Sequence, residues 1–118
     1  MEILFRFQTL DIWHLANEIG DELLNLADEL EKIKFYRFSE QLRASSLSVS
    51  NNIAEGSGSV SPREFARFLN YARRSVFENA NVIFILLRRK LIGEERADTM
   101  LKKLVILSKK ITNFKKRL

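Results

Sequence analysis

The chain has 118 residues, 46% of them hydrophobic and 30% charged, the proportions of a single soluble globular domain large enough for its own core. With no cysteine, one proline and four glycines, it excludes disulfides and thiolate zinc sites and has too little turn punctuation for a β fold. The net charge is +5, but residues 1–60 hold five basic against ten acidic side chains (−5), leaving +10 for the second half; that split predicts a basic face for an acidic partner, or halves that attract one another within an assembly.

Met1-Glu2-Ile3-Leu4-Phe5-Arg6 carries an early acid and no apolar run of signal-peptide length. The most apolar segment, Val82 to Leu87, is closed by Arg88-Arg89-Lys90 and falls short of the ~20 residues a membrane span needs. The expectation is a soluble, cytoplasmic protein with no membrane role.

Four helices are expected, at about 10–33, 38–55, 62–91 and 95–116. In the first, Thr9 reads as the N-cap and Asp11 sits where the helix dipole favours an acid. Ile12, Ala16, Ile19, Leu23, Leu26, Leu30 and Ile33 then recur at spacings of four and three, a buried helical seam. Gly20 lies mid-helix, at a cost of about 1 kcal/mol relative to alanine. The second helix continues the seam through Phe38, Leu42, Ser45 or Ser46, Val49 and Ile53, with serine where leucine is expected. Gly56 reads as the left-handed residue that ends it.

Ser61-Pro62-Arg63-Glu64 is a complete helix start: serine cap, proline at the first position, and glutamate closing a capping box. The third helix places Phe65, Leu69, Ala72, Val76, Ala80, Ile83 and Leu87 on one face, with a second apolar surface from Phe68, Phe77, Val82, Phe84, Ile85 and Leu86. Gly93 reads as its stop. The fourth buries Ala97, Leu101, Leu104, Ile111 and Phe114. Four amphipathic helices with short connections give an all-α, antiparallel up-down-up-down bundle. The apolar surfaces of the last two are wider than one core needs, which predicts self-association.

Gln41-Leu42-Arg43-Ala44, Ser48, Asn52-Ile53-Ala54-Glu55-Gly56, Glu64-Phe65, Phe68-Leu69 and Glu78, preceded by Leu10-Asp11-Ile12-Trp13, together resemble the bacterial four-helix-bundle family of 23S rRNA intervening-sequence proteins. The resemblance covers roughly residues 8–93. It implies a ring-shaped homopentamer, some relatives being encoded within inserts in ribosomal RNA genes. A related branch is the accessory variability determinant of diversity-generating retroelements, a partner of nucleic acid and reverse transcriptase. The chain departs from the pattern where Arg74-Ser75 replaces a Gly-Ser pair, and where Lys34-Phe35-Tyr36 lacks the usual Pro and Glu.

Candidate chemistry is sparse. His14, the only histidine, has no nucleophile beside it in the pattern. Glu55 opposes the dipole of a last helical turn and so calls for a basic partner such as Arg43, Arg63 or Arg67. Asn52 and Glu55 are expected to hydrogen-bond the glycine loop, a structural role favoured over ligand binding, and Gly56, Ser61 and Glu64 complete that structural motif. Glu55, Glu64 and Glu78 lack the Glu-x-x-His pattern of di-iron bundles. No metal, cofactor or catalytic residue is expected.

The basic residues form arrays instead. Arg63, Arg67 and Arg74 share one face of the third helix, with Arg73 beside them and Arg88, Arg89 and Lys90 at its far end; Lys102, Lys103, Lys109 and Lys110 ride on the fourth. Such arrays bind phosphates with little base readout, and no aromatics appear interleaved for base stacking. The leading expectation is a non-enzymatic, oligomeric protein that binds RNA or DNA; the alternative is a scaffold or accessory subunit that docks a protein such as a polymerase.

Overall fold

All four periodic segments are helical in the computed structural model, which describes residues 1–118. A short 3₁₀ turn at Arg6–Thr9 precedes α1 (Asp11–Lys32), α2 (Tyr36–Ser57), α3 (Pro62–Arg88) and α4 (Glu94–Lys116), with no strand. Each helix packs on its neighbour in the chain and α4 closes against α1, giving a bundle of 44 × 27 × 22 Å. One cluster of 24 buried apolar residues draws on all four helices. The α1 seam is buried from Ile12 to Leu30, while Ile33, at the turn, is exposed.

The helix ends differ from the sequence expectation. Leu10 rather than Thr9 precedes α1, and it makes no side-chain cap; the Thr9 hydroxyl instead donates to the Arg6 carbonyl at 2.7 Å. No glycine has a positive φ. The left-handed residues are Lys34 (φ 69°) and Lys90 (φ 59°). At both, the chain closes with paired bonds of the Schellman type: Phe35 N–H to the Leu30 carbonyl and Lys34 N–H to Glu31, then Leu91 N–H to Leu86 and Lys90 N–H to Leu87. Accordingly α3 stops at Arg88, and Gly93, extended, starts α4 instead of ending α3. Ser61 accepts the Glu64 N–H at 3.2 Å with Pro62 in the first turn. Only half of the capping box forms, because the Glu64 carboxylate turns 3.7 Å from Arg67.

Gly56 has a different task from the one expected. It lies inside α2, where a Cβ would stand 2.8 Å from Phe65 Cδ1 and 2.8 Å from Phe68 Cβ of α3. The missing side chain is what lets α3 lie against the end of α2. Ser39, Ser45, Ser46 and Ser57 of α2 are also buried, and small side chains keep the axes close. Polar groups face one another along this seam. Ser45 Oγ bonds Asn79 Oδ1, and Ser75 Oγ donates to Ser48 Oγ at 2.8 Å. Asn79 is 1% exposed, so without Ser45 its carbonyl would be an unmatched buried acceptor.

The two buried helical glycines should respond oppositely to alanine. Gly56→Ala overpacks a site whose nearest atoms belong to a neighbouring helix, and should cost about 1–3 kcal/mol in chemical denaturation. At Gly20 a Cβ would meet only Ser46 Oγ, at 3.7 Å. Gly20→Ala should therefore stabilise by about 0.5–1 kcal/mol through helix propensity.

Candidate nucleic-acid interface

Antiparallel packing brings the start of α3 beside the end of α4, where Phe65 and Phe114 rings lie 5.5 Å apart. That contact gathers cations distant in sequence. Arg63, Arg67 and Lys115 line a groove of about 570 Å³ with Ser61, Glu64 and Asn70. An adjoining groove of about 420 Å³, between the start of α1 and the end of α4, holds Lys110 and Arg117 with Asp11. Lys115 and Arg117 are absent from the arrays read along single helices. Their signal was present in the C-terminal Lys115-Lys116-Arg117 run, but it acquires a position only once α4 is paired with α3.

The other expected basic residues do not form one continuous face. Arg88, Arg89 and Lys90 are exposed at the opposite end, about 39 Å from Arg63 at 1.5 Å per residue. Arg74 is exposed midway along α3, and Lys109 is exposed on α4. Arg73 is half-buried: its guanidinium lies 4.8 Å from the centre of the Phe77 ring and its Nε has no hydrogen-bond partner. Lys103 reaches both carboxylate oxygens of Glu22, at 2.9 and 3.0 Å. Lys102 pairs with Asp98 at 2.8 Å, and that hydrogen bond raises its pKa.

Part of the charge asymmetry is thus spent between helices. Arg96 of α4 forms a two-pronged pair with Glu29 of α1, at 2.9 and 2.6 Å. The Arg96 hydrogen bond holds the Glu29 carboxyl below the usual carboxylate range, and Glu29 in turn raises Arg96. Arg43 of α2 bonds Asp28 at 2.7 Å and Glu31 at 3.0 Å, which raise its pKa in that order. These bridges stitch α1 to α4 and to α2.

Arg43 is therefore committed to α1, whereas Arg67 lies 3.7 Å from Glu64, beyond hydrogen-bond length, and stays exposed. Glu55 is exposed with no ion pair, contrary to the partner expected for it. Asn52 does not reach the glycine loop either; its amide donates one turn back, to the Ser48 carbonyl at 2.8 Å and to Ser48 Oγ at 3.1 Å. The helix end is held locally, with Gly58 N–H donating to the Glu55 carbonyl at 3.1 Å and Ser57 Oγ donating to the Ala54 carbonyl at 2.7 Å. His14 Nε2 lies 2.6 Å from the Gln8 carbonyl, fastening the 3₁₀ turn to α1.

Between α3 and α4 an apolar groove of about 150 Å³ is lined by Val76, Phe77, Ala80, Phe84, Leu101, Leu104, Val105 and Ser108. Phe77, Phe84 and Val105 are 56%, 57% and 51% exposed. The second apolar surface of α3 therefore divides: Val82 and Leu86 enter the core, whereas Phe77 and Phe84 stay outside with Val105 and Ile106 of α4. No helix is long and apolar enough to cross a membrane.

Fold and surface together define an all-α four-helix bundle with cationic grooves at one end and an uncovered apolar strip along α3 and α4. The chain belongs to the 23S rRNA-intervening sequence protein family, whose model matches residues 8–113. The fold is shared with a solved structure from Bacteroides thetaiotaomicron, a protein of unknown function of the S23 ribosomal protein family. It superposes with a TM-score of 0.84 at 23% identity, covering 89% of this chain and 98% of that one. Comparison with curated proteins finds no match.

The Glu29–Arg96 pair gives the bundle a pH signature. Because the folded-state pKa of Glu29 is lowered, its contribution is present at neutral pH and is lost as pH falls through the carboxylate range. Both side chains are partly exposed, at 54% and 42%, so the size should be that of a surface pair, about 0.5 kcal/mol. Denaturation from pH ~7 down to ~3 should show Glu29→Gln losing less stability than the parent by about that amount.

Proposed function

We propose that this protein is a non-enzymatic, oligomeric RNA-associated protein that holds phosphates on cations displayed by a rigid bundle. The observation that carries this reading is the convergence of Arg63, Arg67 and Lys115 on one groove, with Lys110 and Arg117 in the next. Arg63, Lys110 and Lys115 have no acidic partner within the chain, so their field is free to act on an outside anion. The family's name, which ties it to intervening sequences of 23S rRNA, supports RNA as that anion. The non-enzymatic reading rests on His14 being bound to backbone and Glu55 standing apart from any base.

The uncovered Phe77, Phe84, Val105 and Ile106 strip supports self-association, in the homopentameric ring that the family resemblance implies. Repetition around a ring multiplies each cationic end without any new contact. Light scattering on a sizing column should give five times the 13.8 kDa of one chain. Phe84→Asp should give a folded monomer, since Phe84 already faces out. A wild-type monomer would remove the ring, and a strip that instead retains a polymerase or other protein would favour the scaffold reading.

Binding to RNA should fall by about 20–500-fold between ~50 and ~200 mM salt if three to five phosphates are contacted. Replacing Arg63, Lys110 and Lys115 together by glutamate should weaken binding at least about tenfold at the lower salt while leaving the melting temperature within a few degrees. Absence of binding at low salt would remove the proposal.

A further inference from the structure

The outer ridge of α2 has no partner within the bundle. Glu40, Ala44, Leu47, Asn51 and Glu55 are all exposed, and at 3.6 residues per turn they fall within an arc of about 80°. The middle of this stripe is apolar: Leu47 is 51% exposed, beside Ala44. Each end carries a free carboxylate, since neither Glu40 nor Glu55 joins an ion pair. Arg37 lies just outside the stretch.

The outer ridge of α3 carries the opposite pattern. Arg74, Phe77, Asn81, Phe84 and Arg88 are exposed and span a similar arc of about 80°. Arg74 and Arg88 have no ion pair either. The spacings agree. Fifteen residues separate the two glutamates and fourteen the two arginines, about 22 and 21 Å at 1.5 Å per residue. With the charges matched in either direction, Leu47 falls level with Asn81, between the two phenylalanine rings. An acid–apolar–acid stripe thus fits a base–apolar–base stripe of the same length.

We propose that the strip on α3 and α4 is covered by α2 of a second copy of this chain, with Leu47 seated between Phe77 and Phe84 and the Glu40 and Glu55 carboxylates on Arg74 and Arg88. Apolar burial holds the contact, Ala44 lets the helices approach, and the end charges fix the register, because a slip of one turn unpairs both. The strip packed on its own copy would set arginine against arginine in either direction, which disfavours that arrangement. The two surfaces are different, so the contact is heterologous and repeats head to tail until a ring closes. The acidic half of one chain then meets the basic half of the next. Arg63 lies eleven residues before Arg74, about 16 Å along α3, which leaves the cationic end groove open. The inference rests on the self-association reading above and names its interface.

The test is light scattering on a sizing column, with the full chain. Glu40→Arg with Glu55→Arg, and separately Arg74→Glu with Arg88→Glu, should each reduce the particle to the 13.8 kDa of one chain. The chain carrying all four reversals, whose stripes are complementary again, should regain the wild-type mass. All four side chains are exposed, so circular dichroism should not change. A second measurement uses the absence of cysteine: Leu47→Cys combined with Asn81→Cys should let a short bis-maleimide link chains into a ladder, whereas either cysteine alone should give no linked chains. A wild-type oligomer whose mass survives Glu40→Arg with Glu55→Arg, a fourfold variant that stays monomeric, or a double-cysteine oligomer that does not link overturns this inference and leaves self-association standing. A wild-type monomer overturns both.

Discussion

The close approach of α2 and α3 is the constraint on which the rest of the bundle depends. It exists because Gly56 presents no Cβ to Phe65 and Phe68, and because α2 buries serines where its neighbours bury leucine. A seam built from small residues gains less from apolar burial than a leucine seam. It gains in return a set of interhelical hydrogen bonds, Ser45 with Asn79 and Ser48 with Ser75. Buried polar partners tolerate little displacement, since a shift leaves each unsatisfied. The register of α3 against α2 is thereby specified as well as stabilised.

That register determines the surface chemistry. With α3 placed on α2, the Arg63, Arg67 and Arg74 face is turned along the bundle's side, and antiparallel α4 returns its lysine-rich end to the start of α3. The salt bridges are distributed to match. Glu22 and Glu29 of α1 take up Lys103 and Arg96 of α4, so cations near the middle and start of α4 serve cohesion. Those at its end are left for outside contacts. A charge split that is only a bulk property in sequence thus separates into an internal fraction and a displayed one.

The apolar strip along α3 and α4 has the same origin. A 27-residue helix with apolar residues on two sides can bury only one of them in a four-helix core. Val76 and Ile83 go inward while Phe77 and Phe84, one position later in each case, are turned out. The width of the stripe was legible as an excess. Which phenylalanines make up the exposed edge was not, because adjacent helical positions differ by about 100° and only the seated neighbour decides which is covered.

By itself the sequence determined the four helices, their antiparallel order, the Ser61 cap and most of the core, because apolar spacing and local capping are properties of neighbouring residues. It also carried the motif that marks the family. Local patterning misjudged Gly56, Gly93 and Thr9, where the residue type suits a helix end but its use depends on what stands opposite. Asn79 was passed over because a single asparagine on an apolar face declares itself only through its partner on another helix. The same holds for Lys103, whose charge looks free along the chain and is taken up by Glu22 of α1; Arg73 and Lys102 are taken up within their own helices, by Phe77 and Asp98 four residues away, pairs that helical spacing makes neighbours. Only the tertiary structure brought Lys115 into one groove with Arg63, and set Ser48 against Ser75 and Gln41 against Glu78. Whether a polar group in the Gln41–Gly56 stretch and its α3 partner is satisfied or left open is a relation between two helices, and it exists only once they have packed.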